Sequence, residues 1–346
     1  MELLPALTTA LLSASLVSLV LLDATSIHLV VQKLQLYAYG WLLMVLGRDK
    51  RWRALKLKRA MLHRMEGVTS KRLILMRHGE SEWNLIFNVG SKLLVPFKAT
   101  VALWREAKML LHLDMGSVLY DSPLNEAGLE QAQEIAELLR DEVVTSGDVA
   151  ILRGSPGALT SVLATSNLRR AAQTVAVALQ DRLARAACGS PDRVHVLSSL
   201  QEISTNVDTI SITEPFVAPV LPRVAEMLQS PTLFDSSANF GNKRLRGNGL
   251  ERILSFCRWT FERDEACVIV GGHSLWFLAF FRELLPVDEW HESKDSKVAN
   301  GGIVSCILDQ GYIDGQLIYA IRPETIVAVH KGFDVKKKRK TKSKTN

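Results

Sequence analysis

The chain has 346 residues, 47% of them hydrophobic and 23% charged, so it is neither a disordered chain nor a small disulfide-stapled domain. Its net charge of +6 is unevenly spread: residues 48–72 hold ten Lys/Arg against Asp49 and Glu66, residues 335–346 hold seven Lys/Arg and no acid, and the remainder is net acidic. A nucleic-acid-binding body is therefore not indicated.

The N-terminus is apolar. Residues 3–22 carry no charge, and 20 residues are enough to span a bilayer as a helix. A second apolar stretch, 29–47, is interrupted by Gln32, Lys33 and Gln35. A basic run at 48–64 follows, with Trp41 and Trp52 as candidate interface anchors. A signal peptide fits poorly, because Met1-Glu2 supplies no positive start and no convincing small-x-small cleavage site follows. A buried helix is a second reading. A membrane anchor over residues 1–66 fits best, with the second stretch completing a hairpin or lying in the interface. The positive-inside rule then puts 48–64, and the body behind it, on the cytoplasmic face of a membrane, with anionic lipid as a partner for the basic flanks.

The body runs from 67 to 335. Strands are predicted at 72–76, 161–165, 194–197, 267–270 and 303–308, and helices at 125–143, 169–185, 249–263 and 275–285. Strands alternating with amphipathic helices predict an α/β three-layer sandwich with a mainly parallel central sheet, preceded by N-terminal hydrophobic helices. Two insertions interrupt it. Residues 85–120 have apolar positions at helical spacing and read as a lid, a membrane-facing helix or a packing decoration. Residues 204–248 are rich in Pro, Ser, Asn and Gly and read as a mobile loop. Residues 336–346 read as a solvated polybasic tail. The four cysteines, Cys188, Cys257, Cys267 and Cys306, form no Cys-x-x-Cys pair or zinc pattern and read as small apolar fillers.

The chemistry is concentrated where the first body strand, Leu73-Ile74-Leu75-Met76, runs into Arg77-His78-Gly79-Glu80-Ser81-Glu82-Trp83-Asn84. This arrangement sets an imidazole and a guanidinium at a sheet's carboxyl edge, with a glycine that lets backbone pack beside them. An imidazole can attack phosphorus, and a guanidinium can clamp phosphoryl oxygens with two parallel hydrogen bonds. The string closely resembles the signature of the histidine phosphatase superfamily, in its phosphoglycerate mutase-like branch.

Further segments resemble the same family in the expected order. Pro123-Leu124-Asn125-Glu126-Ala127-Gly128, continuing to Gln131-Ala132, is similar to a structural helix start, with Asn125 in the usual threonine position. Asn167-Leu168-Arg169-Arg170-Ala171-Ala172-Gln173-Thr174 is similar to the phosphate-binding segment. Its alignment makes Arg170 the phosphate ligand and leaves Arg169 to a solvated helix face. Leu200-Gln201-Glu202 resembles the segment of the proton-donating acid, with Glu80 as its internal rival. Val270-Gly271-Gly272-His273-Ser274 resembles the second histidine segment, with Ser274 where glycine is usual. Asn300-Gly301-Gly302 resembles the C-terminal turn.

The resemblance implies a metal-independent phosphomonoester hydrolase without a cofactor, acting through a phosphohistidine on His78. Arg77, Arg170 and a protonated His273 would stabilise the phosphoryl oxygens. Ser81, Asn84 and Ser274 would add substrate contacts, and Glu202 would protonate the leaving oxygen and then activate water. Two alternatives stand beside it: mutase-type phosphoryl transfer, disfavoured because the family's mutase-specific runs after Asn84 and near the acid are missing, and a catalytically silent, membrane-tethered phosphate-binding adaptor.

Overall fold

The computed structural model describes residues 24–87, 91–144, 146–187 and 192–334. The apolar stretch 3–22, Cys188 and the polybasic tail lie outside these residues.

An unbroken apolar run makes a strand that is buried on both faces. Leu73, Ile74, Leu75 and Met76 are all fully buried, within β1 (Glu66–Arg77). Leu73 and Leu75 enter one core while Ile74 and Met76 enter another, as alternation along a strand requires. The sheet also contains β2 (Ser161–Ser166), β3 (Val194–Leu197), β4 (Phe234–Asp235), β5 (Cys267–Gly272), β6 (Ile303–Ile313), β7 (Gln316–Ile321) and β8 (Val327–His330). Its order is β4-β3-β2-β5-β1-β6-β7, with β8 also pairing with β6. The first five strands run parallel, and β6 to β8 pair antiparallel.

The helices are α1 (Ala24–Leu46), α2 (Glu82–Phe87), α3 (Val95–Leu111), α4 (Glu126–Arg140), α5 (Gly147–Arg153), α6 (Arg169–Ala178), α7 (Gln180–Ala187), α8 (Gly249–Phe261) and α9 (Ser274–Leu284). Phe256 of α8 and Trp276, Phe277 and Phe280 of α9 cover the Leu73/Leu75 face. Ile135, Leu152, Val175 and Leu183, from α4 to α7, cover the Ile74/Met76 face. The three-layer sandwich with a mainly parallel sheet is therefore present. Side-chain caps set the helix starts: Asn125 accepts from Gly128 N, Ser146 from Val149 N and Asn248 from Glu251 N.

Several elements differ from the sequence expectation. The helix predicted over 169–185 is two helices, because the chain turns at the buried Leu179. The last predicted strand continues to Ile313 and turns back into β7 through Asp314-Gly315, both at positive φ, the Asp-Gly hairpin pattern. The 204–248 insertion is knitted into the body: it supplies β4, buries Ile210 and Leu221, and anchors Asn239 Nδ2 to the carbonyls of Glu214 and Val217. Cys257, Cys267 and Cys306 are free and buried.

Residues 1–66 were expected to form a membrane anchor, with the stretch 29–47 completing a hairpin or lying in the interface. Within that region, α1 lies against the body. Lys33 is buried, and its ammonium donates to Asp114 O at 3.0 Å and Gly116 O at 2.8 Å. Tyr39 OH donates to Lys243 O, and Leu43 is fully buried beside Tyr120 and Ile210. Past α1, the buried Asp49 carboxylate pairs with Lys243 at 3.0 Å and Arg252 at 2.7 Å.

Candidate active site

The parallel strands β1 and β5 are adjacent and in register, with Arg77 opposite Gly272. Their carboxyl ends therefore release His78 and His273 side by side, at the edge where such sheets bind ligands. The two ring centroids are 5.1 Å apart. His78 N donates to Gly272 O, and Arg77 N donates to Gly302 O, so the Asn300-Gly301-Gly302 turn braces the motif from the other side.

The tautomer of His78 follows from its contacts. Its Nδ1 lies 2.6 Å from Gly79 O, which can only accept, so Nδ1 carries the proton. Nε2 is then the lone-pair nitrogen, and it accepts from Arg170 Nε at 3.3 Å. Burial first, then the charges of Arg170 and Arg77, hold its pKa well below the usual histidine value. The ring thus points an unprotonated Nε2 at a guanidinium.

Two glycines make that geometry possible. A Cβ on Gly79 would stand 2.3 Å from Gly128 O, and one on Gly128 would stand 2.0 Å from Glu80 O. The Arg-His-Gly loop and the start of α4 therefore interlock backbone to backbone. Gly79 N donates to Thr174 Oγ1, which ties the loop to α6.

Arg170 opens α6 and is almost fully buried. Arg169 was expected on a solvated face, and this expectation is corrected. Its side chain is buried and donates to Asp121 O and Ser117 O, and its backbone N donates to Asp121 Oδ1. It ties down the strap that leads into α4 and is not in the pocket.

Glu202 follows the turn after β3, and its Oε1 accepts from Trp276 N at 3.0 Å. Its rival Glu80 turns away, accepting from Asn125 Nδ2 at 2.7 Å. Arg77 is buried, donating to Val298 O at 2.6 Å and standing 3.4 Å from Asp334. A polar cavity of about 190 Å³ is lined by Arg77, His78, Ser81, Asn84, Arg170, Glu202 and Ser274, together with Trp83, Asn206, Asp208 and Lys297. His273 is fully buried and does not line this cavity, but it lies beside His78 and Glu202, with neither ring nitrogen hydrogen-bonded. Burial, followed by Arg170 and His78, lowers its pKa well below the usual histidine value. The sequence expected this ring protonated. A bound phosphoryl dianion would raise that pKa again and favour the protonated ring.

Nitrogen and oxygen atoms of His78, Glu202 and His273 lie within 4.8 Å of one another. That spacing suits a cation, but the buried guanidiniums of Arg77 and Arg170 border the same cavity and oppose one. The donor set is arranged for an anion.

Three features escaped the sequence reading. Asp208 lies in the pocket wall, with Oδ2 3.4 Å from Arg170 and its backbone oxygen accepting from the same guanidinium. Burial pushes its carboxyl up to about 6. Lys243, fully buried, donates to Asp49 Oδ2, Glu202 O, Ser204 O and Thr209 Oγ1, and so sets the backbone around the acid. Glu82, inside the signature itself, is buried and pairs with Arg105 of α3 at 3.0 Å and Arg223 at 3.2 Å, fastening both insertions to the Arg-His-Gly loop.

No family model and no curated protein matches the chain. Solved structures with related layouts include an alpha-ribazole phosphatase from Shigella flexneri, at 18% identity over 77% of this chain and 99% of that one, with a TM-score of 0.34. A mycobacterial glucosyl-3-phosphoglycerate phosphatase follows at 15% identity, covering 73% and 97%, with a TM-score of 0.35. A phosphoserine phosphatase from Entamoeba histolytica stands at 17% identity, covering 72% and 95%, with a TM-score of 0.32. These likenesses are distant, and the chemistry below is drawn from the site itself.

Proposed function

We propose that this chain is a phosphomonoester hydrolase that works through a phosphohistidine. The observation that carries the reading is the fixed tautomer of His78, whose Nε2 lone pair is presented to a buried arginine next to a second unpartnered histidine. His78 Nε2 bonds to phosphorus as the ester P–O bond breaks. Arg77, Arg170 and His273 hold the equatorial oxygens, with hydrogen bonds from Ser81, Asn84 and Ser274. Glu202 in its acid form gives its proton to the leaving oxygen. As a carboxylate it then takes a proton from water, which attacks phosphorus, releases inorganic phosphate and restores His78. The positive charge comes from the chain's own guanidiniums and imidazole, so the reading requires no metal.

The test is hydrolysis of a generic aryl phosphate by the full chain with chelator present, beside His78→Ala. Turnover that survives chelation and is lost in the variant supports the reading. Turnover retained by His78→Ala, or none in either protein, sinks it.

We further propose that the protein is membrane-associated, with its catalytic domain on the cytoplasmic side. In support, Ile27–Leu46 is long and apolar enough to cross a membrane, and a basic run follows it. A full chain that stays soluble without detergent or lipid would count against this second reading.

A further inference from the structure

Two helices outside the catalytic layers turn apolar faces away from the body. Their inward faces are marked by polar contacts. Tyr37 OH donates to Glu106 Oε2 at 2.5 Å, and Lys33 stands 3.8 Å from the same carboxylate. Opposite the fully buried Leu43, α1 exposes Ile27, Val31, Leu34, Trp41 and Val45, each between 45% and 69% accessible. They recur at three, four and seven residues, one stripe of a helix. Opposite Glu106, α3 exposes Phe97 at 70%, Trp104 at 65% and Leu111 at 83%, with Val101 between them. A helix facing water carries polar residues on that side, and apolar stripes on two helices joined by one carboxylate mark a covered surface.

The chain supplies two arguments for what covers it. The sequence just ahead of α1, residues 3–22, is uncharged and long enough to cross hydrocarbon, and only Asp23 separates it from Ala24. Just past α1, Arg48, Lys50, Arg51, Arg53, Lys56 and Lys58 are all exposed, the charge that anionic headgroups attract. α1 itself is not free to cross while docked, because the buried Lys33 ammonium is held by two carbonyls of the body.

We propose that the outward face of α1 and α3 lies flat in the headgroup–acyl boundary of an anionic bilayer, so that the body rests on the membrane through two helices instead of hanging from a tether. This deepens the membrane-association reading and is independent of the phosphatase reading. It also reaches the active site. Gly40 of α1 sits against Val207, and Gly47, just past the helix, sits against Thr205, both in the segment that leads to Asp208. A lipid surface that holds α1 down also holds that wall.

The experiment uses the full chain on vesicles of phosphatidylcholine and phosphatidylserine with brominated acyl chains, reading tryptophan fluorescence. Trp41 and Trp104 face the lipid in this arrangement, whereas Trp276 is fully buried. Quenching is expected on vesicle binding, and Trp41→Phe and Trp104→Phe are each expected to lose a share of it. Vesicle-bound protein whose quenching is unchanged by both variants would show a tether only, or a face covered by another protein or a second copy, and would overturn the proposal. Failure to float with vesicles would overturn it as well. Aryl phosphate turnover, measured on the same samples, reports the phosphatase reading separately.

Discussion

Asp208→Asn tests the electrostatics of the pocket most directly. The carboxylate stands 3.4 Å from the Arg170 guanidinium, which donates to His78, and its Oδ1 has no hydrogen-bond partner. A phosphoryl group held by Arg170 would bring its charge within about 5 Å of that carboxylate. At an effective dielectric near 20, two like charges at that separation repel by roughly 3 kcal/mol. Solvent screening reduces this, so the penalty on substrate binding is on the order of 10- to 100-fold. The penalty exists only while Asp208 is ionised. Its pKa is pushed up to about 6, so the group is neutral below that pH and anionic above it. The ratio of kcat/KM for Asp208→Asn over the parent is therefore expected to be near one at about pH 5 and to climb through pH 6 to roughly 10–100 at about pH 8, mainly through KM. Taking the ratio cancels the ionisation of the substrate itself. A ratio below one at every pH, with kcat lost, would refute this and make Asp208 a proton donor. A flat ratio of one would show that the carboxylate leaves Arg170 when substrate arrives.

The paired arginines should separate cleanly. Arg170→Ala is expected to lower kcat by ~10²–10³, as loss of a preorganised donor does. Arg169→Ala should instead strand the fully buried Asp121 and cost roughly 3–5 kcal/mol in urea unfolding. Asp49→Asn removes the carboxylate facing the buried Lys243, whose pKa is already down to about 8. At neutral pH, unfolding data should show a loss of roughly 3–5 kcal/mol. That loss should shrink as pH rises past 8, because the ammonium then sheds its proton in the folded state. Gly128→Ala places a methyl against Glu80 O and is expected to cost about 1–3 kcal/mol while also lowering kcat, read by melting and turnover together.

The parts of the site carried by strand ends were legible in the sequence. An apolar run followed by Arg-His-Gly, and a second ending in Gly-Gly-His, each name a strand and what stands at its tip, and parallel pairing then brings the tips together. Arg170 was separable from Arg169 by motif alignment, but the fate of Arg169 was not. Its partners, Asp121 and Ser117, lie about 50 residues earlier in a strap with no periodic pattern. Asp208 and Lys243 were hidden for the same reason: both belong to an irregular insertion whose course is set by long-range hydrogen bonds. Hydropathy marked α1 as apolar without saying which side faced what. Lys33 and Tyr37, one turn apart and facing Glu106, carried part of that signal. The Asp314-Gly315 hairpin is set by its two turn residues alone.

The pocket is built to two standards of rigidity. His78, His273 and Arg170 hang from central strands and from the helix beside them, and move only if the core opens. The opposite wall, from Ser204 to Thr209, is fastened by Lys243, Asp49 and a single helix at the start of the chain. Segments fastened this way open at lower free energy than a core strand does. Under the proposed reaction, gentle warming should therefore loosen the grip on substrate before it slows the chemical step, with KM rising while kcat still follows its normal temperature course.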